Sequence, residues 1–118
     1  MKKNLIIPEP IKSAIEAANN HDSILFLSNF AETAVVIDEG HDYHGIEAIR
    51  RWSDEKLFGA NVTFDVTGIK SSGDKSVVTE EVEGDFDKTG LPDPFILALD
   101  FVTSGSKIER LSFRLPDE

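Results

Sequence analysis

The stretch 35–45, VVIDEGHDYHG, sets six proton-exchanging side chains within seven positions: Asp38, Glu39, His41, Asp42, Tyr43 and His44. Two other acids stand apart from it. Asp100 interrupts the apolar run FILALDFV, and Glu80 shares the alternating face of Val78, Val82 and Phe86. A carboxylate in an apolar strand must be paired, neutralised or turned to water. In a pocket, desolvation would raise the pKa of Asp100 and let it donate a hydrogen bond near neutrality. Otherwise it pairs with a nearby arginine such as Arg110 or Arg114. Asp38 ends the run AVVI on the side of Val36, where it either looks inward or bonds to the backbone of the turn that follows.

A metal reading of the histidines meets a geometric objection. Residues three apart share a helical face, but in an extended hairpin His41 and His44 point to opposite sides. His21 is the third and last imidazole, and the chain has no cysteine. No metal and no cofactor are therefore expected. His41 fits better as an acid or base at a pocket mouth, because imidazole titrates near physiological pH. The remaining polar residues of the stretch read as a solvated hairpin tip, and the acidic run 80–87 as a mostly solvated strand face.

These groups must be held by one domain, spanning 1–118, since 118 residues suffice for one core and nothing in the sequence reads as a linker or repeat. With 22 acids against 12 bases the formal charge is −10, which repels phosphate backbones and anionic lipid, so neither nucleic acid nor membrane is an expected partner. The apolar patch in MKKNLIIPEP stops at Pro8, too short for a signal core or a membrane span, and a cytoplasmic location is expected.

Helical signals come first. Pro10 opens a helix whose apolar residues Ile11, Ala14, Ile15 and Ala18 recur at helical spacing, and Asp22 caps a short second helix, SILFLSNF. TAVVID is β-branched and reads as a strand. IEAIRRWSDEKLFG follows as a third helix stopped by Gly59. After that the pattern is strand only: NVTFDVTGIKS, SVVTEEVEGDF, then the proline-bearing loop DKTGLPDP, then FILALDFVTS and KIERLSFRL around SGSK. Helices followed by a long antiparallel sheet make an α+β domain with the helices on one face. FILALDFV is apolar on both faces, so its outer face is expected to be covered by a second copy of the chain, a homodimer.

The order of elements, the segment AVVIDEGHDYHGIEAIRRW and the closing SGSKIERLSF resemble the nuclear transport factor 2-like superfamily, in its SnoaL-like polyketide cyclase and ketosteroid isomerase-like branch. The resemblance runs from Ile11 to Leu115. It implies a cone: a curved antiparallel sheet wrapped around a pocket that the three helices of the N-terminal half close, the cystatin-like arrangement. It also implies roles. Asp38 falls where those isomerases carry the general base, and Asp100 where a carboxyl donates to the developing oxyanion. Phe30, His41, Tyr43, Trp52 and Glu80 are the candidate ligand-binding residues, with Phe30 and Trp52 better suited to the core. The match is incomplete: Ala14 and Ser53 occupy the positions of the isomerases' two helix tyrosines. The expected function is binding of a small apolar molecule, with cofactor-free isomerase, cyclase or hydratase chemistry on Asp38 and Asp100. A non-catalytic ligand-binding or assembly module is the alternative, since one fold hosts both.

Overall fold

A computed structural model describes residues 6–116. Three helices lie against a six-stranded, curved, open sheet whose order is β2-β1-β6-β5-β4-β3. Helix α1 (Glu9–Asn19) starts on prolines, as expected, and buries Ile11, Ala14, Ile15, Ala17 and Ala18. Helix α2 (Ser23–Ser28) is capped by Asp22, whose carboxylate accepts the Leu25 N–H at 3.1 Å. Strand β1 (Phe30–Asp38) and strand β2 (His41–His44) form a hairpin with Asp38 opposite His41. Its two-residue turn, Glu39 and Gly40, has φ of 52° and 78°, positive at both positions as the tight hairpin turn requires.

Helix α3 (Gly45–Ser53) runs into a π-helical turn, Asp54–Phe58. The widened turn ends at Gly59, where a Cβ would stand 2.7 Å from the Asp54 carbonyl, so only glycine fits. Strands β3 (Thr63–Ser72), β4 (Lys75–Glu83), β5 (Ile96–Ser104) and β6 (Lys107–Arg114) complete the sheet. Register slips at Val66/Gly68 and Val102/Thr103 insert extra residues, and such bulges increase local bend and twist.

The sheet departs from the expected all-antiparallel arrangement at one place: β1 and β6 run parallel, with Val36 beside Leu111. Most of the domain separates these strands in sequence, so no tight turn constrains their direction.

Alternation then sorts the side chains. Val36, Val78, Val82, Leu99, Phe101 and Leu111 face the helices and form the core with Ile11, Ile49 and Trp52. Asn19, at the end of α1, locks that helix to β3 by a reciprocal pair: its amide donates to the Phe64 carbonyl at 2.8 Å and its carbonyl accepts the Phe64 N–H at 2.7 Å. This clamp fixes Phe64 under the helices. Strand β5 is covered on both sides near its middle, Ala98 being 1% exposed between Thr79 and Arg114 on the neighbouring strands. Ile49 is fully buried on α3. Ile49→Ala should lower the unfolding free energy by about 2–5 kcal/mol, measured as a shifted urea midpoint at unchanged slope.

Candidate functional site

Strand parity brings Asp38 inward at the end of β1, and α3 brings Trp52 to meet it. The buried indole Nε1–H donates to Asp38 Oδ2 at 2.9 Å. Trp52 is itself held in a ring cluster, 5.7 Å from Phe113, 6.3 Å from Tyr43 and 6.5 Å from Phe26 between centroids. The carboxylate is thus fixed by an aromatic ring that cannot easily move. Burial raises the Asp38 pKa above the ordinary carboxylate value, and nearby Glu39 raises it further. The Trp52 hydrogen bond, Lys56 and His41 work the other way.

Asp38 and Trp52 stand on the wall of an open cavity of about 510 Å3, within the size range of small-molecule sites. Phe64 on β3, Val82 on β4, Leu97 on β5 and Phe113 on β6 supply its apolar sheet side. The π-helical turn contributes Glu55, Lys56 and Leu57, and the loop after β4 contributes Phe86, Asp87, Leu91 and Phe95. Phe86 and Phe95 pack on each other at 5.9 Å, so the loop's two ends meet through their rings. A second void, about 10 Å3 and wholly apolar, lies between α1 and the sheet. It shares Trp52, Leu57, Phe64 and Phe113 with the larger cavity.

The expected residues separate. Asp38 and Trp52 line the cavity, but Asp100 does not. Leu99 and Phe101 face inward, so their neighbour Asp100 faces out, where its carboxylate accepts from Arg114 Nε at 2.8 Å and Nη2 at 3.3 Å. Both side chains of that ion pair are about one third exposed, at 34% and 38%. The pairing of Asp38 with Asp100 across one cavity is therefore corrected: β-alternation puts the two acids on opposite faces of the sheet, and Arg114 already answers the charge of Asp100. Phe30 is core, 3% exposed, and lines only the small void. His41 is exposed, and Tyr43 is half-buried against Trp52; neither lines the cavity. Sequence parity missed Phe64, Leu97 and Phe113 as lining. They read as ordinary strand residues, and only the sheet's curvature turns them onto a common lumen. Phe86 and Phe95 read as strand ends but lie just outside β4 and β5, and Asp87 and Leu91 carried no pattern that pointed to a lumen.

Glu80 is inward and fully buried, 0% exposed, with neither carboxyl oxygen hydrogen-bonded among the described residues. Its strand neighbours are Val66 and Leu97. Burial alone pushes its pKa up to about 8. Among the described residues no group of three His, Asp or Glu gathers as a metal ion would require, and no helix is long and apolar enough to cross a membrane.

With this geometry, the chain belongs to the SnoaL-like domain family, which matches residues 11–107. Among solved structures, it is similar to a candidate polyketide cyclase from Sinorhizobium meliloti, with 28% identity, 92% of this chain and 95% of that one covered, and a TM-score of 0.83. A protein of ketosteroid isomerase-like fold from Catenulispora acidiphila, crystallised with trimethylamine, aligns at 22% identity over 92% and 86% of the two chains, with a TM-score of 0.76. A Mycobacterium tuberculosis protein in complex with estradiol-17β-hemisuccinate aligns at 16% identity over 92% of both chains, with a TM-score of 0.73. No curated protein matches the sequence.

Glu80 gives the stability a defined pH dependence. Its folded-state pKa of about 8 lies above the ordinary 4.5, so between those values the folded chain keeps a proton that the unfolded chain has lost. Stability from this group is full below pH 4.5 and is lost as pH rises towards 8. Urea denaturation at intervals from pH 5 to 8 should show a falling unfolding free energy, with a slope approaching about 1.4 kcal/mol per pH unit. The raised pKa of Asp38 acts in the same direction at the acid end. Glu80→Gln should flatten the curve, and an unchanged slope in that variant would place the effect elsewhere.

Proposed function

We propose that the cavity binds a small, largely apolar organic molecule and that Asp38 moves a proton on it, in an isomerase-, cyclase- or hydratase-type reaction. One observation carries the reading: a carboxylate with a raised pKa, fixed by an indole N–H, on the wall of a cavity made mostly of aromatic and aliphatic side chains. A raised pKa makes an ionised carboxylate a stronger base while leaving it able to return the proton, as general acid–base catalysis demands. Such a transfer needs only the carboxylate and a substrate carbon made acidic by an adjacent carbonyl. The family and the similar candidate cyclase from S. meliloti support the same class of chemistry. The outer sheet face, with Val35, Ile37, Val77, Ile96 and Val102 half-buried in the single chain, supports a homodimer through that face.

Binding without turnover is the second reading, and specific features favour it. Ala14 and the buried Ser53, whose hydroxyl bonds to the Arg50 carbonyl, stand where the isomerases carry tyrosines, and Asp100 faces away. Deuterium exchange separates the two. Small apolar ketones that shift the melting temperature are incubated in D2O, and loss of the proton beside the carbonyl is followed by NMR. The catalytic reading expects exchange above background that falls on the order of a hundredfold or more in Asp38→Asn, with the thermal shift retained. Equal exchange in wild type and Asp38→Asn leaves binding as the function. If exchange occurs, Trp52→Phe removes a hydrogen bond that lowers the Asp38 pKa, so the acid limb of the rate profile should move to higher pH.

A further inference from the structure

Glu80 is the buried ionisable group that the acid–base reading leaves unused. A carboxyl taken wholly out of water without a partner is costly to keep, and native interiors seldom keep one without a reason. Among the described residues its surroundings offer no counter-charge. Val78 and Val82 flank it on β4, Val66 lies beside it on β3 and Leu97 on β5. Helix α1, which packs on β3, turns Ile11, Ala14, Ile15 and Ala18 inward. Burial raises its pKa, and among the described residues no charged side chain offsets that.

Glu80 is nevertheless next to the cavity. Val82 on its own strand and Leu97 across the ladder both line the lumen on the same sheet face. A glutamate has three side-chain torsions with alternative rotamers, and the carboxyl reaches the lumen in our proposal by changing rotamer between these two neighbours. The ionisable groups on the cavity wall are one-sided as well: Asp38, Glu39, Glu55 and Asp87 against Lys56. That excess, on a chain of net charge −10, draws cations in and repels anions. The aromatic walls already described suit an apolar body bearing a positive charge.

We propose that the molecule this cavity takes is an amine with an apolar body, its ammonium group pairing with the carboxylate of Glu80. The inference rests on the reading of the cavity as a ligand site and adds the chemical class of the ligand. It has a proton balance. Glu80 carries its proton in the free protein at neutral pH, and the amine arrives protonated from solution, so forming the ion pair releases the Glu80 proton to solvent. Affinity then rises by up to about tenfold per pH unit between pH 6 and 8 and levels off above the Glu80 pKa of about 8. Asp38, an acid with a raised pKa that lines the cavity, is the group from which this effect has to be separated.

Three probes share one rigid apolar body: 1-aminoadamantane, 1-adamantanol and adamantane-1-carboxylate. Calorimetric titration of the full chain at pH 6, 7 and 8, in buffers of different ionisation enthalpy, reads both affinity and protons released. The expected result is that the amine binds at least about tenfold more tightly than the alcohol at pH 8. The carboxylate binds more weakly than either, and the amine alone releases close to one proton at pH 7. Glu80→Gln should abolish the release and the preference and leave the alcohol's affinity unchanged. Glu80→Leu, which removes the buried polar group, should do the same and melt at a higher temperature. Equal affinity for amine and alcohol in the wild type overturns the amine assignment and leaves the cavity reading standing. So does a preference that survives both Glu80 variants and vanishes in Glu55→Gln with Asp87→Asn, which would make it a rim effect. Failure of all three probes to bind overturns both.

Discussion

The hydrogen bond from Trp52 to Asp38 is the constraint on which the site depends. A buried indole N–H needs an acceptor, and an inward carboxylate needs a donor; each satisfies the other at 2.9 Å. The bond ties α3 to the end of β1 and places the indole among Phe26, Tyr43 and Phe113. Trp52 and Phe113 then separate the small internal void from the open cavity. The same contact that completes the core therefore sets Asp38 in a defined position on the wall and keeps its pKa from rising further.

The cavity exists because the sheet curves and the helices cover only part of its concave face. Asn19 clamps α1 to β3, and the π-helical turn after α3 brings Lys56 and Leu57 to the opening. The remaining gap is walled by the loop after β4, joined through Phe86 and Phe95. A fold that filled this gap would be more stable. Open apolar wall, and Glu80 buried without a partner, both reduce stability, which is what sites selected for binding commonly show.

How much could be read from the sequence differs between the elements and the site. The α+β class, the helix starting on Pro10, the Asp22 cap and the Gly59 stop all rest on local rules, and the structure reproduces them. Asp38 and Glu80 were found inward, one of the readings that parity with Val36 and with Val78 and Val82 left open. Asp100 was found outward; FILALDFV is apolar on both faces, and parity cannot choose between two apolar faces. The choice lay with β6, which sets Phe113 inward and Arg114 outward, within reach of the carboxylate. The parallel pairing of β1 with β6 was likewise invisible, since no turn joins them.

The sequence by itself determined which segments fold locally and which residues of a strand share a face, because caps, glycine stops and two-residue alternation act over a few neighbours. Only the tertiary structure decided which of those acids share a space. That depends on sheet order, bulge-driven curvature and the meeting of residues as distant as Asp38, Leu97 and Phe113, and no short-range pattern encodes it. Of the six proton-exchanging residues in VVIDEGHDYHG, tertiary contacts set Asp38, with Glu39 beside it, on the cavity wall. The partner that fixes Asp38 is an indole from the neighbouring helix and not a second acid, because the indole is the donor that burial of both groups brings within reach.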